Sequence, residues 1–380
     1  MGQGRTTIAG YTLVELMVAL VLSLVLTGSI YVIYENSISA QRVEGQLLDL
    51  QDRLRFGMEH LKRDLRRAGF LASPNTAADD AVCSKPAYDL RAVTLYPNSG
   101  TVHQPWSGAN PNVQPTTLLL FGDFFSGQLY KSSGISGNLV YLQLTENFPS
   151  SEIEFNRVFN DNRYLRIVTH DRFELLIPIQ TSNYVERTVT LELSVPLVAA
   201  GNRCGITGFG EGLDVNVAGF VRYRVAGDTR PGAPLGKTDL IREEISHDGL
   251  TVVAGTQLVI ADYAVDLQFY DFGLDSDATG TAPAMVVFPL ITDVADEGGG
   301  GMLGTMTGSQ PEDLRFLTVK LTVRTQEEDP THSHLPRTGL FAPLRSFEVD
   351  PMDGAARTLT LASRVELSSL AVRNLKRSGP

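Results

Sequence analysis

The chain has 380 residues, 43% hydrophobic, 8% aromatic and 20% charged, with a mean hydropathy of −0.02 and 32 Lys and Arg against 43 Asp and Glu. That mixture excludes intrinsic disorder and a collagenous or low-complexity chain. The net charge of −11 argues against nucleic acid as a partner, because phosphate binding needs a basic surface that displaces counterions.

The hydrophobicity is concentrated at the N-terminus. Leu16 to Tyr34 is an uncharged run of 19 residues, which as a helix is about 28 Å long, enough for one membrane crossing. Arg5 is the only charged residue before Gly10, so the positive end is expected in the cytoplasm and the remainder exported. An ordinary secretory signal has a shorter apolar stretch. Ser37-Ile38-Ser39 offers a small-x-small site, which leaves a cleaved exoprotein as an alternative. Glu15 stands at the start of the apolar run, where a lone charge in lipid costs about 2.5–3.5 kcal/mol on insertion scales, so it needs an interface or a partner.

Beyond the membrane segment there is no Pro until Pro74, and Leu47, Leu50, Leu54, Met58, Leu61 and Leu65 recur in steps of three and four. That spacing is one face of an amphipathic helix, with Gly69 placed to end it. A plain coiled-coil stalk would share the pattern. After Pro74 the period changes to short β-rich runs: Leu90–Tyr96, Thr116–Phe121, Leu139–Leu144, Tyr164–Val168, Phe173–Ile179, Val185–Val195, Phe220–Val225, Asp239–Ile245, Gln257–Phe272, Ala284–Val287, Leu314–Thr325 and Ala356–Leu370. Their spacing predicts antiparallel sheet with long loops. The expected class is α+β: a long N-terminal helix packed on an antiparallel β-sheet head. The stretch Asp296–Gln310, with four glycines from Gly298 to Gly301, reads as an exposed loop.

Few residues suggest chemistry. Cys83 and Cys204 can close a loop of about 120 residues outside the cytoplasm, or stay as two thiols. Gly232 to Thr238 is similar to a P-loop but has three residues between its glycines instead of four, and reads as a turn leading into a strand. His332 and His334 lack an evident third ligand nearby. Asp271, Asp275 and Asp277 are compatible with calcium but lack EF-hand spacing, so the plainer reading is a solvated acidic turn. With no nucleophile elbow, zincin helix or CxxC pair in the chain, the expectation is a protein without a cofactor that is not an enzyme.

Gly10-Tyr11-Thr12-Leu13-Val14-Glu15-Leu16-Met17 resembles the class III leader junction of type IV pilins and type II secretion pseudopilins. The resemblance implies a leader at 1–10, cut after Gly10 by a prepilin peptidase, with N-methylation of Tyr11. Tyr11 replaces the usual Phe. It also implies that Glu15 pairs with the N-terminal amine of a neighbouring subunit during assembly. Loss of the leader removes Arg5 and no carboxylate, so the mature charge becomes −12. The organisation is then 1–10 leader, 11–34 transmembrane half of the helix, 35–69 amphipathic half, and 74–380 periplasmic head.

Leu61-Lys62-Arg63-Asp64-Leu65-Arg66-Arg67-Ala68-Gly69-Phe70 is similar to the helix-ending segment of PilW-type minor pilins and J-type pseudopilins, and the length favours the former. The implied role is priming or capping a type IV pilus. The implied partners are other minor pilins, the major pilin, the inner membrane and the assembly platform. The alternatives are a type II secretion pseudopilin and a tip adhesin.

Overall fold

A computed structural model describes residues 12–83, 90–96, 110, 113–192, 210–228, 232–234, 236–275, 285–288, 311–330, 332–339, 342–349 and 354–371. Compactness divides the chain into a unit up to Gln51 and a unit from Asp52.

One helix, α1 (Leu13–Arg66), runs through the first unit and into the second. It contains no Pro, and it closes where the backbone can leave the helix. Arg67 and Ala68 donate to the carbonyls three residues back, and Gly69 takes a left-handed φ of 71° while its N–H reaches the Phe121 carbonyl. The helix therefore stops three residues before the expected Gly69 boundary, and Gly69 serves as the terminator.

In the second unit the strands are β1 (Val93–Tyr96), β2 (Thr117–Gly122), β3 (Tyr130–Ser136), β4 (Leu139–Leu142), β5 (Tyr164–Val168), β6 (Glu174–Asn183), β7 (Thr188–Leu191), β8 (Asp214–Gly227), β9 (Thr238–Ile245), β10 (Leu258–Ala261), β11 (Ala264–Asp275), β12 (Met285–Phe288), β13 (Leu314–Arg324), β14 (Ser346–Phe347) and β15 (Ala356–Glu366). Two short helices, α2 (Glu152–Val158) and α3 (Ser368–Ala371), complete the described elements with a 3₁₀ turn at Pro311–Asp313. The named strand pairs are all antiparallel. The α+β architecture matches the expectation.

Strand β8 is the hinge of the topology. Its first part, Asp214–Ala218, lies between β3 and β5, and its second part, from Gly219, lies between β2 and β9. Because β3, β4, β7, β6 and β5 pair in sequence and return to β8, six strands close into a ring. The ring encloses a core that includes Tyr130, Val140, Leu165, Ile177, Val189 and Val215, and Phe155 and Phe159 of the α2 region pack into the same cluster. Ser151 caps α2 by accepting from the Glu154 N–H. The rest of the first sheet, β1-β2-β8-β9-β10, stays open. Gly219 sits where a Cβ would come within 2.8 Å of the Phe125 ring, so a larger residue where β8 passes from ring to sheet would have to displace that ring.

The second sheet has the order β12-β11-β13-β15-β14. Side chains alternate across its plane. Leu267, Phe269, Leu317, Val319, Leu321 and Val323 make an apolar face, whereas Asp266, Gln268, Lys320, Thr322 and Arg324 on the other side are buried and polar. The helix buries Leu54, Met58, Leu61 and Leu65. At Gly57 an added Cβ would meet Leu321 of β13 at 3.0 Å, Ala261 of β10 at 3.2 Å and Leu240 of β9 at 3.9 Å. Gly57 is thus a close-approach point between the helix and both sheets.

Several expectations need correction. The single strand expected at Gln257–Phe272 is two, because Asp262 and Tyr263 turn between them, with Tyr263 at a φ of 56°. The turn moves the chain from the first sheet to the second. The strand expected from Ala356 to Leu370 ends at Glu366 and passes into α3. The strand expected from Val185 begins at Thr188, because Arg187 adopts a φ of 54° in the hairpin turn. Strands β3 and β14 and helix α2 were not expected from the pattern. The glycine run at 298–301 lies outside the described residues.

Candidate functional site: the N-terminal segment

From Leu13 to Tyr34 every residue is exposed, including all the large apolar side chains. Among the described residues this is the one helix long and apolar enough to cross a membrane, and none of its most apolar window is buried within the chain. A helix that is apolar all round and uncovered by its own chain needs an apolar solvent. Its hydroxyls are suited to that solvent. Ser23 donates to the Leu20 carbonyl at 2.8 Å, Thr27 to Ser23 at 2.7 Å and Ser29 to Val25 at 2.9 Å, so these three hydroxyls are satisfied within the helix.

The start of the helix is built around Glu15. Thr12 is the N-cap, and its hydroxyl accepts from the Glu15 N–H at 3.3 Å. In return Glu15 Oε2 accepts from the Thr12 N–H and from the Thr12 hydroxyl, both at 3.0 Å. This is a reciprocal capping box, Thr-x-x-Glu, in which two otherwise orphaned helix N–H groups are satisfied and the carboxylate lies at the positive end of the helix. Its signal was present in the spacing of Thr12 and Glu15. The leader resemblance assigns Glu15 a partner in another subunit, and the capping box is an intrachain contact beyond that expectation. The box fixes the carboxylate at the first turn through Oε2. Gly10 and Tyr11, the expected cleavage and methylation positions, lie outside the described residues.

The remaining candidates are dispersed. Cys83 is half-buried against the ring core, and Cys204 lies outside the described residues. The P-loop-like segment turns at Gly232 and Gly236 and enters β9. Lys237 Nζ lies 3.0–3.2 Å from the carboxylates of Asp228, Asp239 and Asp262, which leaves it committed to acids of its own chain. His334 Nε2 lies 3.8 Å from Glu348 and shares no cluster with His332. Asp271 and Asp275 belong to β11 instead of an acidic loop, and Arg315 holds Asp275 at 3.2 Å. Asp277 is outside the described residues. No group of three or more His, Cys, Asp or Glu able to hold a metal occurs among the described residues.

Several buried charges in the second unit meet partners that the hydrophobic pattern could not reveal. Asp64 accepts from the Tyr223 hydroxyl at 2.7 Å and from Arg242 Nε at 2.8 Å, joining the helix to β8 and β9. Burial and the Asp64 charge raise the Tyr223 phenol well above its ordinary value. Burial opposes the Arg242 charge, but Asp64 outweighs it and the guanidinium is raised. A recess of about 490 Å³, lined by Gly69, Phe70, Leu129, Val168, Ser368 and Arg166, is mainly apolar. Its Arg166 is bound by both Glu174 oxygens at 2.6 and 2.7 Å and by Asn216, while burial lowers the guanidinium to about 10.

Residues 5–31 match the model of the prokaryotic N-terminal methylation motif. No curated protein and no solved structure matches the chain significantly. The motif, the exposed apolar helix and the single crossing it allows fit a membrane anchor. They mark the N-terminal segment as a prepilin-type leader and helix of the kind shared by type IV pilin-like and pseudopilin-like proteins.

Proposed function

We propose that the chain is a minor pilin of the PilW type, which takes part in priming or assembling a type IV pilus. The carrying observation is the N-terminal segment: a methylation motif over 5–31, followed by an exposed apolar helix with Glu15 fixed at its first turn. In this reading a prepilin peptidase cuts after Gly10 and Tyr11 becomes the methylated N-terminus. The head stands in the periplasm, and the membrane half packs against other minor pilins and the major pilin at the assembly platform. The Glu15 carboxylate attracts the N-terminal amine of a neighbour, since an ion pair in lipid is far cheaper than either charge alone. The role is structural, not enzymatic.

The leader motif is shared with pseudopilins, so a type II secretion filament is the second reading. Deleting the gene separates them: loss of pili with secretion intact supports the pilus, and the reverse result supports the secretion filament. Within the pilus reading, Gly10→Ala should leave the protein at precursor size. Glu15→Leu should remain inserted in the membrane without supporting piliation. Normal pilus numbers with Glu15→Leu would overturn the assembly role.

A further inference from the structure

Among the described residues, the second sheet ends on an open strand. β15 pairs with β13 without a register shift, from Thr358 at Arg324 to Glu366 at Phe316. On its other side β14 covers only Ala356 and Arg357. Thr325 donates to the Arg357 carbonyl and Leu367 to the Arg315 carbonyl, so the odd-numbered residues of β15 turn their backbone groups toward β13. In an antiparallel ladder the residues between them turn the opposite way. The N–H and C=O groups of Thr360, Ala362, Arg364 and Glu366 therefore line the outer side, where Ala362, Arg364 and Glu366 are exposed. The open lane from Thr360 to Glu366 is about 20 Å long.

The other described sheet edges are short. β1, β10 and β12 have four residues each and β14 has two, and the β10 pairing is interrupted by a register shift. Short and irregular edges are protected from stray pairing. The lane on β15 has neither Pro nor Lys, and Arg364 Cζ lies over the Phe316 ring, 3.3 Å from its centre. A long regular edge of this kind is a template for one more strand. The apolar face of the sheet is also unfinished at this margin. Leu321 and Val323 of β13 are buried, whereas their neighbours Leu361 and Leu359 on β15 are only half-buried. Opposite residues on adjacent strands share a face, so an added strand covers Leu361 with a side chain of its own. On the other face it meets Arg364 and Glu366, which an acid and a base in that order match.

We infer that the outer edge of β15 binds an extended segment of a separate protein. The segment adds as an antiparallel strand, in the lane that β14 begins, with an acid opposite Arg364, a base opposite Glu366 and an apolar residue opposite Leu361. Backbone pairing supplies the attachment, and these side chains set the register. β15 of a second copy does not meet that description. Of its antiparallel pairings with itself, the one that sets Arg364 against Glu366 is centred on Val365 and spans only Arg364–Glu366. The longer ones leave both charges unmatched or set Arg364 against Arg364. The inference goes beyond the pilin reading and does not depend on it.

The probe is a fluorescent heptapeptide, Lys-Val-Glu-Val-Thr-Val-Thr, whose first residue faces Glu366 and whose third faces Arg364. Its anisotropy is titrated with the detergent-solubilised full chain. Saturable binding is expected, weakened about 10-fold or more when the peptide is N-methylated at the residues facing Arg364, Ala362 and Thr360. Ala362→Pro removes one outward N–H without touching the β13 ladder. It should weaken binding to the same extent while keeping the near-UV circular dichroism of the parent. Should that variant fold poorly, the N-methylated peptide on the unaltered chain carries the same test. The chain with Arg364→Glu and Glu366→Arg should prefer the charge-swapped peptide, Glu-Val-Lys-Val-Thr-Val-Thr, several-fold over the original. In cells, a photoreactive residue in place of Ala362 should cross-link the full chain to a segment of a separate protein with this alternating pattern. No binding up to about 1 mM peptide, equal binding of the N-methylated peptide, no effect of the charge swap, or a cross-link only to a second copy or within the chain would each overturn the inference. Failure of cleavage at Gly10 removes the pilin reading and leaves the strand binding as it is.

Discussion

Asp64 offers the sharpest test of how the helix is held to the head. Its carboxylate is buried, and it accepts from the fully buried Tyr223 hydroxyl and from Arg242. Asp64→Ala leaves the Arg242 guanidinium without its counter-charge and the phenol without its acceptor. Removing one member of a buried pair costs about 3–5 kcal/mol. The Arg242 side chain keeps 18% of its surface in water, so some of its charge can be resolvated and the lower part of that range, about 3 kcal/mol, is expected. Asp64→Asn retains a neutral acceptor and should lose about 1–2 kcal/mol. A triple change of Asp64→Leu, Tyr223→Phe and Arg242→Met should recover most of the loss, because replacing all partners avoids an orphaned charge. The measurement is urea unfolding of the detergent-solubilised full chain, followed by near-UV circular dichroism. An Asp64→Ala midpoint equal to wild type, or a triple variant no better than the single one, would refute the argument that this pair fixes the helix.

Two glycines on the same helix should respond oppositely. Gly57→Leu should destabilise by about 1–3 kcal/mol or more through overpacking against Leu321 and Ala261, whereas Gly45→Ala should stabilise the isolated chain by up to about 1 kcal/mol; equal effects in thermal melts would contradict the packing. Thr12→Val removes one side of the capping box and should weaken the first turn by about 0.5–2 kcal/mol, visible as faster amide exchange near residue 15 and absent in Thr12→Ser. Asp266 is pushed up to about 6 by burial, against which Arg337 at 2.7 Å works only in part. Its folded pKa exceeds its unfolded one, so proton uptake between pH 7 and 5 should add stability from this site. Asp266→Asn should remove that increment from the difference between the two urea midpoints, and an unchanged difference would rule the site out.

The readable parts of the chain were those governed by local periodicity. The helix was expected over 11–69 and is described over Leu13–Arg66, because an unbroken run without Pro and a three-four apolar face depend only on neighbours. Tyr164–Val168 matched the expected bounds, and Leu314–Arg324 ended one residue early. Strand β3 escaped because Tyr130 to Ser136 is Ser- and Gly-rich and its strand character comes from partners on both sides. The closed ring could not be read for a similar reason: closure depends on β8 pairing with both β3 and β5, each far away in sequence. The buried polar face of β11 and β13 was also hidden. Alternation identifies the two faces of a strand, but not that Arg337 from a distant segment will cover Asp266 and Gln268.

The two carboxylates that matter most on the helix illustrate the difference between a fold contact and an assembly contact. Asp64 is neutralised within its own chain by a guanidinium and a phenol, so its energy is spent on folding. Glu15 accepts only from Thr12 among the described residues, through one of its two oxygens. Those bonds stabilise the helix start, yet they supply no positive side chain, and a carboxylate in lipid without a counter-charge is expensive. The deficit is specific: it calls for a cation near the first turn, at a depth set by the helix itself. A chain that sets Asp64, Glu174, Glu243 and Asp266 against arginines, but gives the carboxylate at the start of its apolar segment only hydroxyl and amide donors, has an electrostatic requirement there that another subunit can meet. On the proposed reading, a methylated amine at residue 11 of a neighbour meets it, and the requirement becomes a force for assembly.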